Sequence, residues 1–344
     1  MTTLHASLSL QSNVPLPLAP ETGGTSVVRR LVRLFGYLLL SGVFALTVLY
    51  AGVQAYIAWK LTHPYVSPLV SNPMQAKNLP YSDVHFPSAD GQTVVDGWWI
   101  PVTGSRQSVV LSHGYGANRE ESWVPMYDLA DLLHRLGYNV LMFDYGFASA
   151  KHRLPATGGI LESQQLLGAI HYAREQGTRE LIVWGFSMGA GTALQAALQH
   201  APVDAMILDS TFLPDDDTLA YNLNRIPFEL PKLPTLQLIK QFLPIMGGTS
   251  LDRIPSERAQ HTTFDFPMLL IHGTADDKAP VYLAENVAKA QTNPYTQLWT
   301  VQGAIHEMIY RTHKQEYVKR ITAFLGEVHV LTVNKAFGNE AVHV

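Results

Sequence analysis

The first segment that could carry out chemistry is Gly185-Phe186-Ser187-Met188-Gly189, a G-x-S-x-G pattern. It follows the apolar run 181–184 and precedes small, helix-forming residues at 190–194, so the serine lies between a predicted strand and a predicted helix. A serine in such a tight turn needs neighbours without bulky side chains, and the two glycines meet this need. The pattern predicts Ser187 as a nucleophile; the alternative is an ordinary turn with a capping serine.

A serine hydroxyl is a weak nucleophile and needs a general base, together with a third group that orients the base. His306 lies shortly after the apolar run 297–301, and two acids, Asp276 and Asp277, follow the run 267–271. Open α/β sheets build their sites at the carboxyl ends of strands, where both segments are expected. The order serine, acid, histidine along the chain is also the order that accompanies a G-x-S-x-G turn.

Acyl transfer needs hydrogen-bond donors for the developing oxyanion, and losing one such donor costs about 2.7–4 kcal/mol. A glycine-rich loop, His113-Gly114-Tyr115-Gly116, follows the apolar run 109–111. Its backbone N–H groups can point into a site at the end of that strand. The candidate donors are the backbone amides of Tyr115 and of Met188, which directly follows the predicted nucleophile.

Other polar residues are predicted to have structural roles. His113 and His272 each precede a glycine at the end of a predicted strand, where a histidine holds loop geometry by hydrogen bonds. The acidic run 215–217 could suggest a metal, but carboxylates also favour the start of a helix. The chain has no cysteine, which excludes disulfides, thiolate zinc sites, iron–sulfur clusters and a cysteine nucleophile. We predict a site without metal or cofactor.

Short apolar runs alternate with helical patterns from residue 81 onward. The runs predict strands at 81–87, 93–100, 108–112, 139–144, 181–184, 205–208, 268–271 and 297–301, and the helical patterns lie at 123–136, 160–175, 188–199, 281–289 and 311–325. The first two strands flank Asp90-Gly91, a turn dipeptide that indicates an antiparallel pair. The others suit parallel strands that are covered on both faces. The alternation predicts an α/β fold with a mostly parallel sheet and helices on both faces.

Residues 78–329 resemble the α/β-hydrolase family, near its serine aminopeptidase-like and monoacylglycerol-lipase-like branches. The resemblance rests on the loop at 113–116, the G-x-S-x-G segment, His272-Gly273-Thr274-Ala275-Asp276 and Gly303-Ala304-Ile305-His306. It implies an eight-stranded sheet whose second strand is antiparallel. It also implies a triad of Ser187 as nucleophile, Asp276 rather than Asp277 as orienting acid, and His306 as general base.

One segment departs from the family pattern. After Phe143-Asp144-Tyr145 the family usually continues with an Arg-Gly-x-Gly-x-Ser run, whereas this chain reads Gly146-Phe147-Ala148-Ser149. We therefore expect one wall of the pocket to differ in shape. The excursion at 212–266 contains six prolines and is predicted to form a cap-like cover over the sheet.

The N-terminal part has a different character. Residues 1–26 contain one charged residue, Glu21, and many Ser, Thr, Pro and Gly, and three arginines follow by residue 33. This predicts a disordered tail with a basic end over residues 1–33. Residues 34–59 carry no charge and are long enough to cross a bilayer as a helix. This predicts a transmembrane signal anchor; the alternatives are a cleaved signal peptide and a buried soluble helix. A linker at 60–77 and a C-terminal extension at 330–344 complete the division.

Charge around the apolar stretch predicts its orientation. Arg29, Arg30 and Arg33 precede it, and Lys60 is the only Lys or Arg in the first 15 residues after it. The positive-inside rule then predicts a cytoplasmic N-terminus and a catalytic domain on the opposite side of the membrane, which is a single-pass topology.

The overall composition limits the class of partner. The chain has 344 residues, with 24 Lys plus Arg against 28 Asp plus Glu, and 15% of its residues are charged where about 25% is typical. This balance excludes the strongly basic surface that nucleic acid requires. The sequence predicts a membrane-anchored serine hydrolase that acts on an ester, thioester or amide of a small-molecule or lipid acyl substrate. The alternatives are an acyltransferase that uses the same triad and a catalytically silent, membrane-tethered binding module.

Overall fold

The computed structural model describes residues 24–225 and 231–341, with side chains at 26–225 and 231–335. The chain divides into two compact units, Met1–Gly52 and Val53–Val344. Most of the predicted disordered tail, residues 1–23, lies outside the described residues. Residues 24–33 are helical, so this part of the tail prediction is wrong.

The first helix, α1, runs from Gly24 to Thr62 and is longer at both ends than the predicted span of 34–59. No proline interrupts residues 25–62, and the helix ends where His63 precedes Pro64, a position that disfavours helical backbone. Its described span, Ser26–Thr62, is long and apolar enough to cross a membrane, by length and composition. The predicted linker at 60–77 contains the end of this helix and the short helix α2, Pro73–Lys77.

Eight strands form one sheet in the order β1-β2-β4-β3-β5-β6-β7-β8. The strands are β1 Ser82–Pro87, β2 Val94–Ile100, β3 Gln107–Ser112, β4 Asn139–Phe143, β5 Glu180–Phe186, β6 Ala205–Asp209, β7 Met268–Gly273 and β8 Gln297–Val301. Strand β2 is antiparallel to both of its neighbours, and the remaining pairs are parallel. This is the α/β-hydrolase arrangement that the sequence predicts.

Helices cover both faces of the sheet. They are α3 Met126–Arg135, α4 Ile160–Glu175, α5 Met188–Ala197, α6 Asp216–Leu223, α7 Lys232–Ile245, α8 Ser256–His261, α9 Tyr282–Ala290, α10 Ile309–Thr312 and α11 Lys314–Ala341. Successive strand residues point to opposite faces. In β5, Val183 packs in the core with α4, α5 and α9, whereas Ile182 and Trp184 pack in the core with α3 and α11.

The C-terminal extension predicted at 330–344 is not a separate segment in its described part, because α11 continues without a break to Ala341. The helix buries Tyr317, Phe324 and Val328 against the sheet and then extends beyond these contacts. The catalytic domain was predicted to end at residue 329, but no proline or C-cap glycine stands there to end the helix. Gly326 and Gly338 fall within the helix.

The cap-like excursion at 212–266 contains helices α6, α7 and α8, and its residues 226–230 lie outside the described part. A third apolar cluster joins it to the last two turns of α1. Ala58 is fully buried there with Ile239 and Leu243 of α7, and Leu61 packs against the same cluster. The last turns of α1 are therefore part of the unit that carries the cap.

Candidate active site

Ser187 occupies a sharp turn between β5, which ends at Phe186, and α5, which begins at Met188. Its backbone has φ 50° and ψ −117°, a conformation that non-glycine residues rarely adopt. The glycines on either side of this turn are required for steric reasons. A Cβ atom at Gly185 would lie 2.6 Å from the backbone of Ala190, and one at Gly189 would collide with the carbonyl oxygen of Ser112. Such strain is typical of functional turns.

The structure brings Ser187, His306 and Asp276 together, although they are spread over about a third of the chain. His306 Nε2 lies 2.8 Å from Ser187 Oγ, and His306 Nδ1 lies 2.7 Å from Asp276 Oδ2. The other oxygen of Asp276 accepts backbone N–H groups from Lys278 at 2.8 Å and Ala279 at 2.7 Å. Both oxygens of the Asp276 carboxylate are thus fixed, and one is directed at the histidine.

Asp277, the competing acid, is directed elsewhere. Its side chain is 46% exposed and lies 3.6 Å from Lys278 Nζ, whereas the Asp276 side chain is 1% exposed. Of the two candidate acids, only Asp276 is in contact with His306.

Asp276 and His306 each favour the charged form of the other. Burial alone would raise the pKa of Asp276, but the hydrogen bond and the charge of His306 outweigh it and the pKa is lowered. Burial would lower the pKa of His306, but Asp276 and the neighbouring Glu307 outweigh it and the pKa is raised. The carboxylate is therefore ionised, and the protonated imidazole is stabilised.

The glycine-rich loop lies beside the serine. A Cβ atom built on Gly114 would lie 3.4 Å from Ser187 Cβ, so the next amide, that of Tyr115, belongs to the immediate surroundings of the hydroxyl. Among the described residues, no backbone hydrogen bond is donated by the N–H of Tyr115 or Met188. Both predicted donors are thus free of other partners.

The phenol of Tyr115 links this loop to the end of α1. Its hydroxyl donates to the carbonyl oxygens of Lys60 and Leu61, both at 3.0 Å. The Ala156 amide also donates to the Thr62 carbonyl oxygen at 2.7 Å. Sequence reasoning missed this role of residues 60–62, because they follow an apolar stretch that reads as a membrane span.

His113 and His272 are fully buried and hold loop geometry, as the sequence indicates. The Tyr145 amide donates to His113 Nε2 at 3.1 Å, and His272 Nε2 lies 2.9 Å from the Ala279 carbonyl oxygen. Burial lowers the pKa of His113 to about 4, so the ring is neutral. Phe147, from the segment that departs from the family pattern, packs against His113 and Tyr115 with ring centroids 5.6 and 6.2 Å away.

Three buried acids near His306 were not singled out by sequence reasoning: Glu121, Asp209 and Glu307. Burial raises the pKa of Asp209 to about 6, although its oxygens accept hydrogen bonds from Tyr317 at 2.6 Å and Ser210 at 2.9 Å. The position of Glu307 directly after the predicted base was the only signal in the sequence.

A cavity of about 620 Å³ opens onto Ser187 and His306. Its walls come from the end of α1, the loop after β3, the cap and the loop after β8, and they include Leu61, Tyr115, Trp123, Leu219, Leu243, Leu251, Ile254 and Ile305. Its size and apolar walls suit a small organic molecule or an acyl chain.

The acidic run 215–217 forms a helix start, as predicted. Asp215 caps α6 by accepting the amide of Thr218 at 2.7 Å. Within the described residues, no group of three or more His, Cys, Asp or Glu side chains could hold a metal ion.

Known proteins resemble this chain in sequence. The family model for the alpha/beta hydrolase fold matches residues 107–243. The chain is 25% identical over 251 residues to the uncharacterized protein YfhR of Escherichia coli K12, covering 70% of this chain and 79% of YfhR. It is 28% identical over 252 residues to the uncharacterized protein Rv2307c of Mycobacterium tuberculosis H37Rv, covering 72% and 80%.

Solved structures agree. The esterase Pf2001 of Pyrococcus furiosus superposes with a TM-score of 0.62 at 23% identity over 78% of this chain and 98% of the esterase. The alpha/beta hydrolase GrgF of Penicillium sp. sh18 superposes with a TM-score of 0.57 at 18% identity over 72% and 99%. The chain has the α/β-hydrolase fold.

Proposed function

We propose that this chain is a membrane-anchored serine hydrolase that cleaves an ester, thioester or amide through an acyl-enzyme on Ser187. The observation that carries the proposal is the continuous contact from Ser187 Oγ through His306 to the buried carboxylate of Asp276. The hydroxyl also sits on a strained turn beside free backbone amides, at the wall of an apolar cavity.

In the proposed reaction, His306 Nε2 takes the proton of Ser187 as Oγ forms a bond with the substrate carbonyl carbon. The amides of Tyr115 and Met188 stabilise the resulting oxyanion. His306 then gives the proton to the leaving group as the bond to that group breaks. In the second half, a water molecule loses a proton to His306 as its oxygen forms a bond with the acyl carbon. His306 then returns this proton to Ser187 Oγ as the bond between Oγ and the acyl carbon breaks, which releases the acid and restores the hydroxyl. Asp276 fixes the histidine tautomer and stabilises its positive charge throughout.

The names of the structural relatives support hydrolysis and leave acyl transfer as a second candidate. Pf2001 is described as an esterase. GrgF is named a polyketide transferase, and that relative is 26% identical over 152 residues, covering 41% of this chain and 50% of GrgF. An alcohol or amine that replaced water in the second half would give transfer. Product analysis with and without an added nucleophile separates the two reactions.

We also propose that residues 34–59 anchor the protein in a membrane, with the N-terminus in the cytoplasm and the catalytic domain on the other side. The support is the uncharged length of this stretch and the arginines that precede it. The test is a reporter enzyme fused after Val344. We expect the fused reporter to be active outside the cytoplasm only. Activity of the reporter in the cytoplasm would overturn the orientation.

The substrate class is best tested by activity profiling of the full chain in detergent micelles. The panel combines acyl esters of increasing chain length with aminoacyl amides, and a fluorophosphonate probe reports the reactive serine independently of substrate choice. Hydrolysis of at least one ester series and covalent labelling are expected. A folded chain that neither labels nor hydrolyses would exclude the proposal and favour a silent binding module.

The pH dependence of kcat/KM should follow His306. A general base must be neutral, so kcat/KM is expected to rise with pH through the pKa of this histidine. Because Asp276 and Glu307 raise that pKa, the midpoint should lie above the ordinary value of 6.5. Rates measured over a series of buffers at constant ionic strength test this, and an acid-limb midpoint below 6.5 would contradict the assignment.

A further inference from the structure

Two buried carboxyl groups, those of Glu121 and Glu307, converge at the glycine-rich loop. The side chains are almost fully buried, with 2% and 5% of the residue surface exposed. A Cβ atom built on Gly114 would lie 2.9 Å from Oε1 of each glutamate. The Oε1 atoms of both carboxyl groups therefore lie beside Gly114, and the same Cβ atom would lie 3.4 Å from Ser187 Cβ.

The carboxyl groups also share polar contacts with the site. The Gly114 amide donates to both oxygens of Glu121 at 3.3 Å, and the Trp123 indole N–H donates to Glu307 Oε2 at 2.6 Å. The Glu307 amide in turn donates to Ser210 Oγ at 3.0 Å. Glu307 Oε1 has no hydrogen-bond partner among the described residues. One carboxyl group thus holds the oxyanion loop, and the other lies on the histidine loop.

No lysine or arginine compensates the pair in the described part of the chain. The titratable groups that face it are His306, Asp276, Asp209 and Tyr317, of which only the histidine can be positive. His306 Nε2 lies 3.8 Å from Glu307 Oε2. Two adjacent carboxylates that are buried together cannot both ionise without a large cost, so at least one holds a proton.

The backbone supports a role for this geometry. Glu121 has φ 27° and Glu307 has φ 56°, both in the left-handed region that favours glycine. Such a conformation is energetically unfavourable and persists only where the surroundings enforce it. Both glutamates are held in this unfavourable conformation at the point where their side chains meet.

We propose that Glu121 and Glu307 are positioning residues that share a proton and join the oxyanion loop to the histidine loop while the enzyme is active. The proposal rests on the proposed hydrolase function. When the shared proton is lost to solvent, the second negative charge repels the first and opposes the developing oxyanion nearby. The pair therefore limits activity at high pH.

A matched set of neutral variants tests the pair in the full chain. Glu307→Gln and Glu121→Gln keep the size of the side chain and remove the titration. Glu120→Gln is the control, because the Glu120 carboxylate lies one residue away and instead accepts the exposed Val70 amide at 2.8 Å. The readout is kcat/KM for p-nitrophenyl butyrate across the pH range, together with the melting temperature in the same buffers.

In the wild type and the Glu120→Gln variant, kcat/KM should fall at high pH. In the two pair variants this fall should move upward by about one pH unit, which is about a tenfold gain over wild type on the alkaline side. An alkaline limb that is unchanged in both pair variants would overturn the proposal.

Thermal stability tests the pair without any substrate. Burial raises the pKa of Glu307 to about 7 and, with the charge of Glu307, raises that of Glu121 well above 4.5. The stabilisation that protonated Glu307 gives to the folded state is fully present below the unfolded-state pKa of this group. It is lost as the pH rises through the folded-state pKa. The Tm of Glu307→Gln relative to wild type should therefore increase by about 2–4 °C between pH about 4.5 and pH about 8. A constant Tm difference would refute the shared proton, even if the chain hydrolysed no ester.

Discussion

Replacing Ser187 with alanine should lower kcat by about 10⁶-fold, by comparison with another serine hydrolase, and abolish labelling by a fluorophosphonate. The reason is that Ser187 Oγ is the atom that forms the acyl-enzyme, and in the described part of the chain no other hydroxyl lies within hydrogen-bond distance of His306 Nε2. The measurement is single-turnover and steady-state hydrolysis of the ester that profiling identifies as best.

The fold should survive this change. The strained turn at residue 187 is held by the backbone, because the Ser187 amide donates to the Asp209 carbonyl oxygen at 2.9 Å and the Ser187 carbonyl oxygen accepts from Ala190 at 3.1 Å. An unchanged melting temperature would therefore accompany the loss of activity. Ser149→Ala is the matched control and should react normally. Undiminished fluorophosphonate labelling of the Ser187→Ala variant would contradict the assignment of Ser187 as the nucleophile.

Replacing Asp276 with asparagine should lower kcat by about 10⁴-fold, as expected when the orienting acid of a triad becomes an amide. The backbone amides of Lys278 and Ala279 will hold the remaining carbonyl oxygen of the asparagine. Its NH₂ group will then face His306 Nδ1 and favour the tautomer that carries its proton on Nε2. A histidine in that form cannot accept the proton of Ser187. Steady-state kinetics over the pH range measure the effect.

The control for this variant is Asp277→Asn, one residue along the chain. Its carboxylate is exposed and lies near Lys278 rather than His306, so its removal should cost less than about tenfold in kcat. Equal losses in the two variants would mean that Asp276 has no special role in orienting the histidine. A larger loss in Asp277→Asn would reverse the assignment of the acid.

Much of the fold was predictable because apolar periodicity reports burial directly. Helix α4 runs from Ile160 to Glu175, the predicted range, and the strands differ from their predicted ranges by no more than two residues at either end. The glycines of the serine turn have steric requirements that the sequence expresses as a fixed spacing. The order of the predicted triad followed from the same logic, but the distances between its members needed the structure.

The structure was also needed to find contacts between distant parts of the chain that no sequence pattern indicates. Glu121 and Glu307 are separated by more than half the length of the catalytic region, and each looks like an ordinary surface acid in the sequence. The end of α1 was equally hidden, because the apolar side chains that would face lipid and those that pack against the cap give the same composition. Burial of Ala58 and Thr62 separates these two uses of one helix.

The end of α1 determines how much of the N-terminal sequence can be exchanged without loss of contacts in the catalytic unit. Residues 53–62 belong to the compact unit that holds the catalytic group, and they supply a cavity wall and two acceptors for the Tyr115 hydroxyl. A chimera that exchanges the sequence before Val53 for another apolar helix retains all of these contacts. A chimera joined at His63, directly after the end of the helix, loses them. The exchangeable part ends about ten residues before the helix does.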